Sequence, residues 1–126
     1  MLRGFEEVTR ERPKRVVKYA PRVLAMIRSR RKGAEIAGVS KIAPALGISP
    51  VLVRQIVHYL RVNLGEPICS DQRGYWYADT PEALDETIQS SEQRIRAIQE
   101  YVDELHVVRE QMKQKEKPDL EQGLFL

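Results

Sequence analysis

The chain has 126 residues with 21 basic and 18 acidic side chains, a net charge of +3, and one cysteine, Cys69. That length fits one domain with extensions. A single cysteine excludes an internal disulfide, and the absence of a Cys/His cluster excludes a structural zinc site; no other metal or cofactor motif occurs. The N-terminus is basic but lacks an uninterrupted apolar core, and no run of eighteen apolar residues exists, so neither a secretory signal nor a membrane span is expected. A cytoplasmic protein is the plain reading.

The charge is unevenly spread. Residues 1–32 carry eleven basic and three acidic side chains, whereas residues 79–106 carry two and eight. The N-terminal part suits a polyanion; the later stretch would be repelled by one.

Residues 1–19 are highly charged without a clean period and read as a flexible basic arm holding Arg10, Arg12, Lys14, Arg15 and Lys18. Pro21 suits a first helical turn, and Val23, Leu24 and Ile27 give the first helix an apolar face. Two glycines in "RKGAEIAGV" then break the pattern, leaving a turn or a short β-segment at Ala34–Ile36. "SKIAPALG" reads as a short second helix with Ser40 as N-cap, Gly47 as its end and Pro44 as a complication. Ser49 and Pro50 form a cap and first-turn pair for a third helix, whose stripe is Val53, Ile56, Val57 and Leu60. "EPICS" and "GYWYA", joined by "DQR", signal a β-hairpin.

From Pro81 one long helix is expected, capped by Thr80 and stopped by Pro118. Its stripe runs Leu84, Ile88, Ser91, Ile95, Ile98, Val102, Leu105, Arg109 and Met112, with spacings alternating four and three, which is a heptad repeat. It either folds back on its own domain or pairs with a second copy; β-branched residues at a with leucine at some d positions favour a parallel homodimer, with a higher homo-oligomer open. The fold class is therefore mainly α with a small β-hairpin: a winged helix-turn-helix followed by a long coiled-coil-like helix. The boundaries are an arm over 1–19, a DNA-binding domain over 20–78, an oligomerisation helix over 79–117 and a tail over 118–126.

Helix, helix, three-residue turn, helix, hairpin is the order that carries function. The first two helices bury the third, which then presents its outer face to a major groove wide enough to admit it. Pro50, Val51, Arg54, Gln55 and His58 fall near bases: Arg54 toward a guanine, Gln55 toward an adenine and Val51 toward a thymine methyl. His58 suits phosphate or open surface better than a base, and Arg61 suits phosphate. Gln72 and Arg73 occupy the hairpin turn, where Arg73 reaches a minor groove or the backbone. Arg10, Arg12, Lys14, Arg15 and Lys18 of the arm, with Arg28, Arg30, Arg31 and Lys32, supply affinity and salt dependence rather than specificity.

"KIAPALGISPVLVRQIVHYLR" resembles the helix-turn-helix core of the winged-helix superfamily. With "GEPICSDQRGYWYA" after it, the likeness extends over residues 21–78 to small bacterial and phage winged-helix proteins and to the N-terminal DNA-binding domain of the biotin-ligase repressor. Pro44 departs from that pattern. The resemblance implies a recognition role for Val51, Arg54, Gln55 and His58, a wing role for Arg73, and no enzymatic role. Double-stranded DNA is then the expected partner of a dimeric transcription regulator; a phage replication or packaging factor and a protein-interaction adaptor are the alternatives. Trp76 is expected against the core, with stacking on single-stranded nucleic acid as the other use of the hairpin aromatics. "EQGLF" at 121–125 resembles the short peptide that binds the bacterial sliding clamp, with Glu121 where glutamine is usual and Leu124 and Phe125 as its apolar pair. No motif joins acids and histidines to a nucleophile or phosphate loop, so an enzyme is not expected.

Overall fold

The computed structural model describes residues 3–33 and 37–116, with side chains from Lys14 onward. The chain divides into two units, residues 1–87 and 88–126. The fold is mainly helical, with one antiparallel hairpin and a long C-terminal helix.

In the first unit, α1 spans Arg3–Arg28. The helix expected to begin at Pro21 thus begins eighteen residues earlier, and residues 3–19 of the segment read as an arm are its first part. Pro21 lies inside the helix and removes the N–H that would bond the Val17 carbonyl. Both residues are exposed, so water reaches the orphaned carbonyl. Val16, Ala20, Val23 and Ile27 recur at spacings of four, three and four and form the buried stripe.

Helix α2 spans Val39–Leu46. Its N-cap is Gly38 rather than Ser40; the amides of Lys41 and Ile42 donate to the Gly38 carbonyl. Pro44 therefore sits at the sixth position of eight, where it deprives the Ser40 carbonyl of its partner on an exposed face. The helix closes with Gly47 at φ 64°, its amide donating to Pro44 and that of Ile48 donating to Ala43. This is the paired-bond, left-handed ending that glycine adopts without strain. Three residues later α3, Pro50–Val62, starts with the Ser49 Oγ accepting from the Leu52 amide at 3.1 Å.

Helix α3 buries Leu52, Val53, Ile56, Val57 and Leu60 against α1 and α2. Strands β1 (Ile68–Asp71) and β2 (Gly74–Tyr77) pair antiparallel with Cys69 opposite Trp76 and a two-residue turn, Gln72–Arg73. One side of the hairpin, through Ile68 and Tyr75, joins the main core. The other side forms a second small core in which Cys69, Trp76 and Ala78 pack with Leu84. Trp76 is therefore an interior residue, unavailable for base stacking. The buried Cys69 thiol donates to the Ala83 carbonyl, and burial pushes its pKa up.

The hairpin also docks on the chain between α1 and α2 through backbone hydrogen bonds. Ala37 and Tyr75 exchange both amide bonds, at 2.9 and 2.8 Å, and the Tyr77 amide donates to Arg30. Residues 34–36, where a β-segment was expected, lie outside the described residues; Ala37 just beyond them makes the bridge. Gly74, at φ 152°, lies so close that a Cβ would stand 2.6 Å from both the Ala37 oxygen and the Gly38 Cα.

The long helix does not start at Pro81. Thr80 caps a 3-10 turn over Pro81–Leu84, and α4 runs Asp85–Glu116. Thr87 meets β1 by accepting from the Ser70 amide at 3.2 Å. Leu84, expected in the heptad seam, packs in the hairpin's small core instead. In the second unit, no residue of the helix is buried, and the apolar positions Ile88, Ile95, Ile98, Leu105 and Met112 are exposed, with Val102 partly so. Residues 117–126, with Pro118 and the clamp-like Glu121, Leu124 and Phe125, lie outside the described residues.

Gly74→Ala is expected to cost about 2 kcal/mol or more, because it adds backbone strain and a collision with immovable backbone atoms. Urea unfolding monitored by Trp76 fluorescence measures it, and a midpoint equal to wild type would refute the docking geometry.

Candidate nucleic-acid interface

The free surface of α3 follows from what the helix buries. At about 100° per residue, the five buried side chains leave Val51, Arg54, His58 and Val62 on the opposite side. All four are exposed, Val51 at 60% and Val62 at 66%. Pro50 is exposed at the helix start, and Gln55 is half-buried on the shoulder of this face. The Ser49 cap and the glycine-ended turn fix where the first turn of α3 begins. The sequence-expected set Pro50, Val51, Arg54 and His58 is thus brought together on one helix face, with Gln55 at its margin.

Arg61 is elsewhere. It was expected at phosphate, but its guanidinium bonds the Ile68 carbonyl at 3.1 and 2.9 Å and the Ser70 Oγ at 2.9 Å, and it lies over the Tyr75 ring at 5.9 Å. Burial lowers its pKa, yet the arginine remains charged, because its ordinary value is so high. Arg61 ties the end of α3 to β1.

The hairpin turn carries Gln72 and Arg73, both exposed. Asp71 accepts from the Arg73 amide at 2.8 Å and from its guanidinium at 3.0 Å, so the turn is closed by its own aspartate. Burial opposes ionisation of Asp71, but the hydrogen bonds from Arg73 outweigh it and hold the carboxyl below its usual pKa. The cation of the turn is thus exposed and paired with its neighbour Asp71.

Several cations expected along a DNA backbone are engaged within the unit. Arg31 pairs with Asp79 at 2.7 Å and also donates to the carbonyls of Arg28 and Arg30; Lys32 pairs with Glu86 at 2.6 Å. These two pairs line a groove with Trp76, Glu82 and Ala83. Arg28 pairs with Glu66 at 3.1 Å and lies over Tyr77, whose hydroxyl donates to the same carboxylate at 2.7 Å. That bond, with burial adding to it, raises the Tyr77 pKa against the pull of Arg28. Arg30 is half-buried, and its Nε lacks a hydrogen-bond partner among the described residues.

Lys14, Arg15, Lys18 and Arg22 on α1, Lys41 on α2 and Arg54 on α3 are exposed and make no ion pair among the described residues. Arg22 and Lys41 were not singled out from the sequence. The signal for Arg22 was the absence of any acidic residue between Arg12 and Ala34. Arg10 and Arg12 belong to α1 by backbone; their side chains lie outside the described residues. No group of three metal-ligating side chains occurs among the described residues, and no described helix is long and apolar enough to cross a membrane.

Comparison with protein families, with curated proteins and with solved structures found no match to this chain.

Replacing Arg61 by methionine, which keeps the chain length but removes the donors, is expected to lower stability by about 1.5–3 kcal/mol. Duplex affinity measured where the variant is fully folded should stay within about twofold of wild type. A large affinity loss without destabilisation would return Arg61 to the phosphate-contacting set.

Proposed function

We propose that this chain binds double-stranded DNA as a winged helix-turn-helix, with α3 in the major groove and the β1–β2 turn as the wing, and that it acts as a homodimeric transcription regulator. The observation that carries this reading is the outer face of α3. A short apolar residue, Val51, and two polar residues, Arg54 and His58, stand exposed on one side of a helix whose other side is wholly buried. Apolar contact to a thymine methyl and a bidentate arginine to guanine are the contacts such a face makes. The two-residue turn carries an exposed Arg73, suited to sugar–phosphate or minor-groove contact. Arg31 is paired with Asp79, and Arg30 is half-buried with its Nε lacking a partner among the described residues, so this reading does not use them.

Fluorescence anisotropy with duplexes selected from a random library tests the reading. Binding should weaken steeply as salt rises. Arg54→Ala should cost about 1–3 kcal/mol on selected sites and much less on random duplex, whereas Lys41→Ala should weaken both alike. No binding at low salt would refute DNA binding, and equal losses on every duplex would remove Arg54 from base reading.

Self-association is proposed through α4. A helix of 32 residues with no buried side chain gains little from packing alone. Its exposed Ile88, Ile95, Ile98, Leu105 and Met112, with Val102, follow the heptad spacing that a second copy covers. Ile95→Asp with Leu105→Asp should convert a dimer to a monomer in sedimentation analysis, while Leu84→Ala should destabilise the hairpin's core and leave the dimer intact. A wild-type monomer at high concentration would overturn the seam.

A further inference from the structure

The outer face of α1 carries charge that the α3 interface leaves unused. Resting on the DNA-binding reading above, we propose that Lys14, Arg15, Lys18 and Arg22 form a second duplex-binding strip, so that each chain holds two segments of double-stranded DNA on opposite sides of the α1–α3 pair.

Helix geometry separates the two faces. Helix α1 turns Val16, Ala20, Val23 and Ile27 toward the shared core, and α3 turns Leu52, Val53, Ile56, Val57 and Leu60 toward it. At about 100° per residue, Lys14, Lys18 and Arg22 lie roughly 150–230° round from the buried stripe of α1. They face away from α3, just as Val51, Arg54 and His58 face away from α1. Packed helices stand about 8–10 Å apart, and DNA is stiff over about 150 base pairs. A duplex seated on one outer face does not wrap this pair of helices to reach the other.

The strip has the chemistry of a phosphate-tracking surface. Lys14, Lys18 and Arg22 follow one another at spacings of four, and Arg15 flanks them. All are exposed, and none has a carboxylate partner among the described residues, whereas Arg28, Arg31 and Lys32 further along the same basic run each have one. Like charges four apart on a helix repel, and a polyanion relieves that repulsion. The strip spans about 12 Å, over which duplex DNA presents about seven phosphate charges.

Stoichiometry tests this. Full-length protein is mixed at low salt with short labelled duplexes of about one and a half helical turns, and bound duplexes per chain are counted by sedimentation velocity. Wild type should hold two. Lys14→Glu/Lys18→Glu/Arg22→Glu should hold one, Val51→Glu/Arg54→Glu one, and the combined variant none, with circular dichroism confirming the fold. If the charge reversals unfold the helix, Lys18→Gln/Arg22→Gln should weaken only the second duplex, by about tenfold. One duplex per chain in wild type and strip variant, with none in the α3 variant, overturns the strip and leaves the α3 reading standing. That is also the result expected if the strip instead holds the acidic helix of another copy. One duplex in wild type, lost in both variants, means a single shared interface and overturns the strip. One duplex lost only in the strip variant overturns both the two-duplex proposal and the α3 reading. No binding by any form overturns both.

Discussion

Five side chains on one side of α3, Leu52, Val53, Ile56, Val57 and Leu60, are buried against α1 and α2, and the rest of the first unit is arranged around that burial. Ile56 and Leu60 are fully enclosed, so truncating either to alanine would cost about 2–5 kcal/mol, a large share of the stability of a domain this size. A helix held so firmly on one side has no freedom to rotate. What it shows to solvent is decided by which residues fall between the buried ones. The local signals then place its start: the left-handed Gly47 stops α2, Ile48 drops into the core, and Ser49 caps the first turn. The far end is fixed differently, by Arg61 reaching across to the Ile68 carbonyl. Packing sets the azimuth of α3, and two polar contacts set its ends.

The hairpin depends on the same frame but is attached by different physics. Its apolar contribution to the main core is small, through Ile68 and Tyr75. Register instead comes from the paired amide bonds between Ala37 and Tyr75, and these require Gly74 to approach the backbone where no side chain fits. The ion pairs Arg31–Asp79 and Lys32–Glu86 join the loop after α1 to the segment after β2, which is why those cations are not free. Each such exposed pair contributes little by itself. Their larger effect is to cancel positive charge on that side while α1 keeps its own.

The parts of this architecture that were legible in the sequence are those written in short-range chemistry. Gly47 and the Ser49–Pro50 pair named the turn and the start of α3, and the spacing of Val53, Ile56, Val57 and Leu60 named its buried face. The alternation around Trp76 named the hairpin and placed that ring inside. Long-range facts were not legible. Pro21 signals a helix start as readily as an interrupted interior, so the helical reach back to Arg3 was missed. Leu84 obeys the heptad spacing as well as any seam residue; only its packing with Cys69 and Trp76 removes it. The same holds for Arg61, whose place at the margin of the buried stripe, after Leu60 and before the exposed Val62, gave no hint that a carbonyl from β1 would be within reach.

Charge shows the gap most clearly. Counted by block, residues 1–32 form one cationic region with an excess of eight. In the fold that region divides. Arg28, Arg31 and Lys32 meet carboxylates brought from residues 66–86, which lie in later segments of the chain. Lys18 and Arg22 are left on a helix side with no acid near them in sequence, because none occurs between Arg12 and Ala34, whereas Lys14 and Arg15 follow Glu11 by three and four residues. A block sum cannot distinguish cations that hold a fold together from cations that wait for a partner, since the difference depends on which carboxylates the topology delivers. The cationic surface without ion pairs among the described residues is therefore narrower than the composition implied, and most of it lies on the side of α1 that the core never uses.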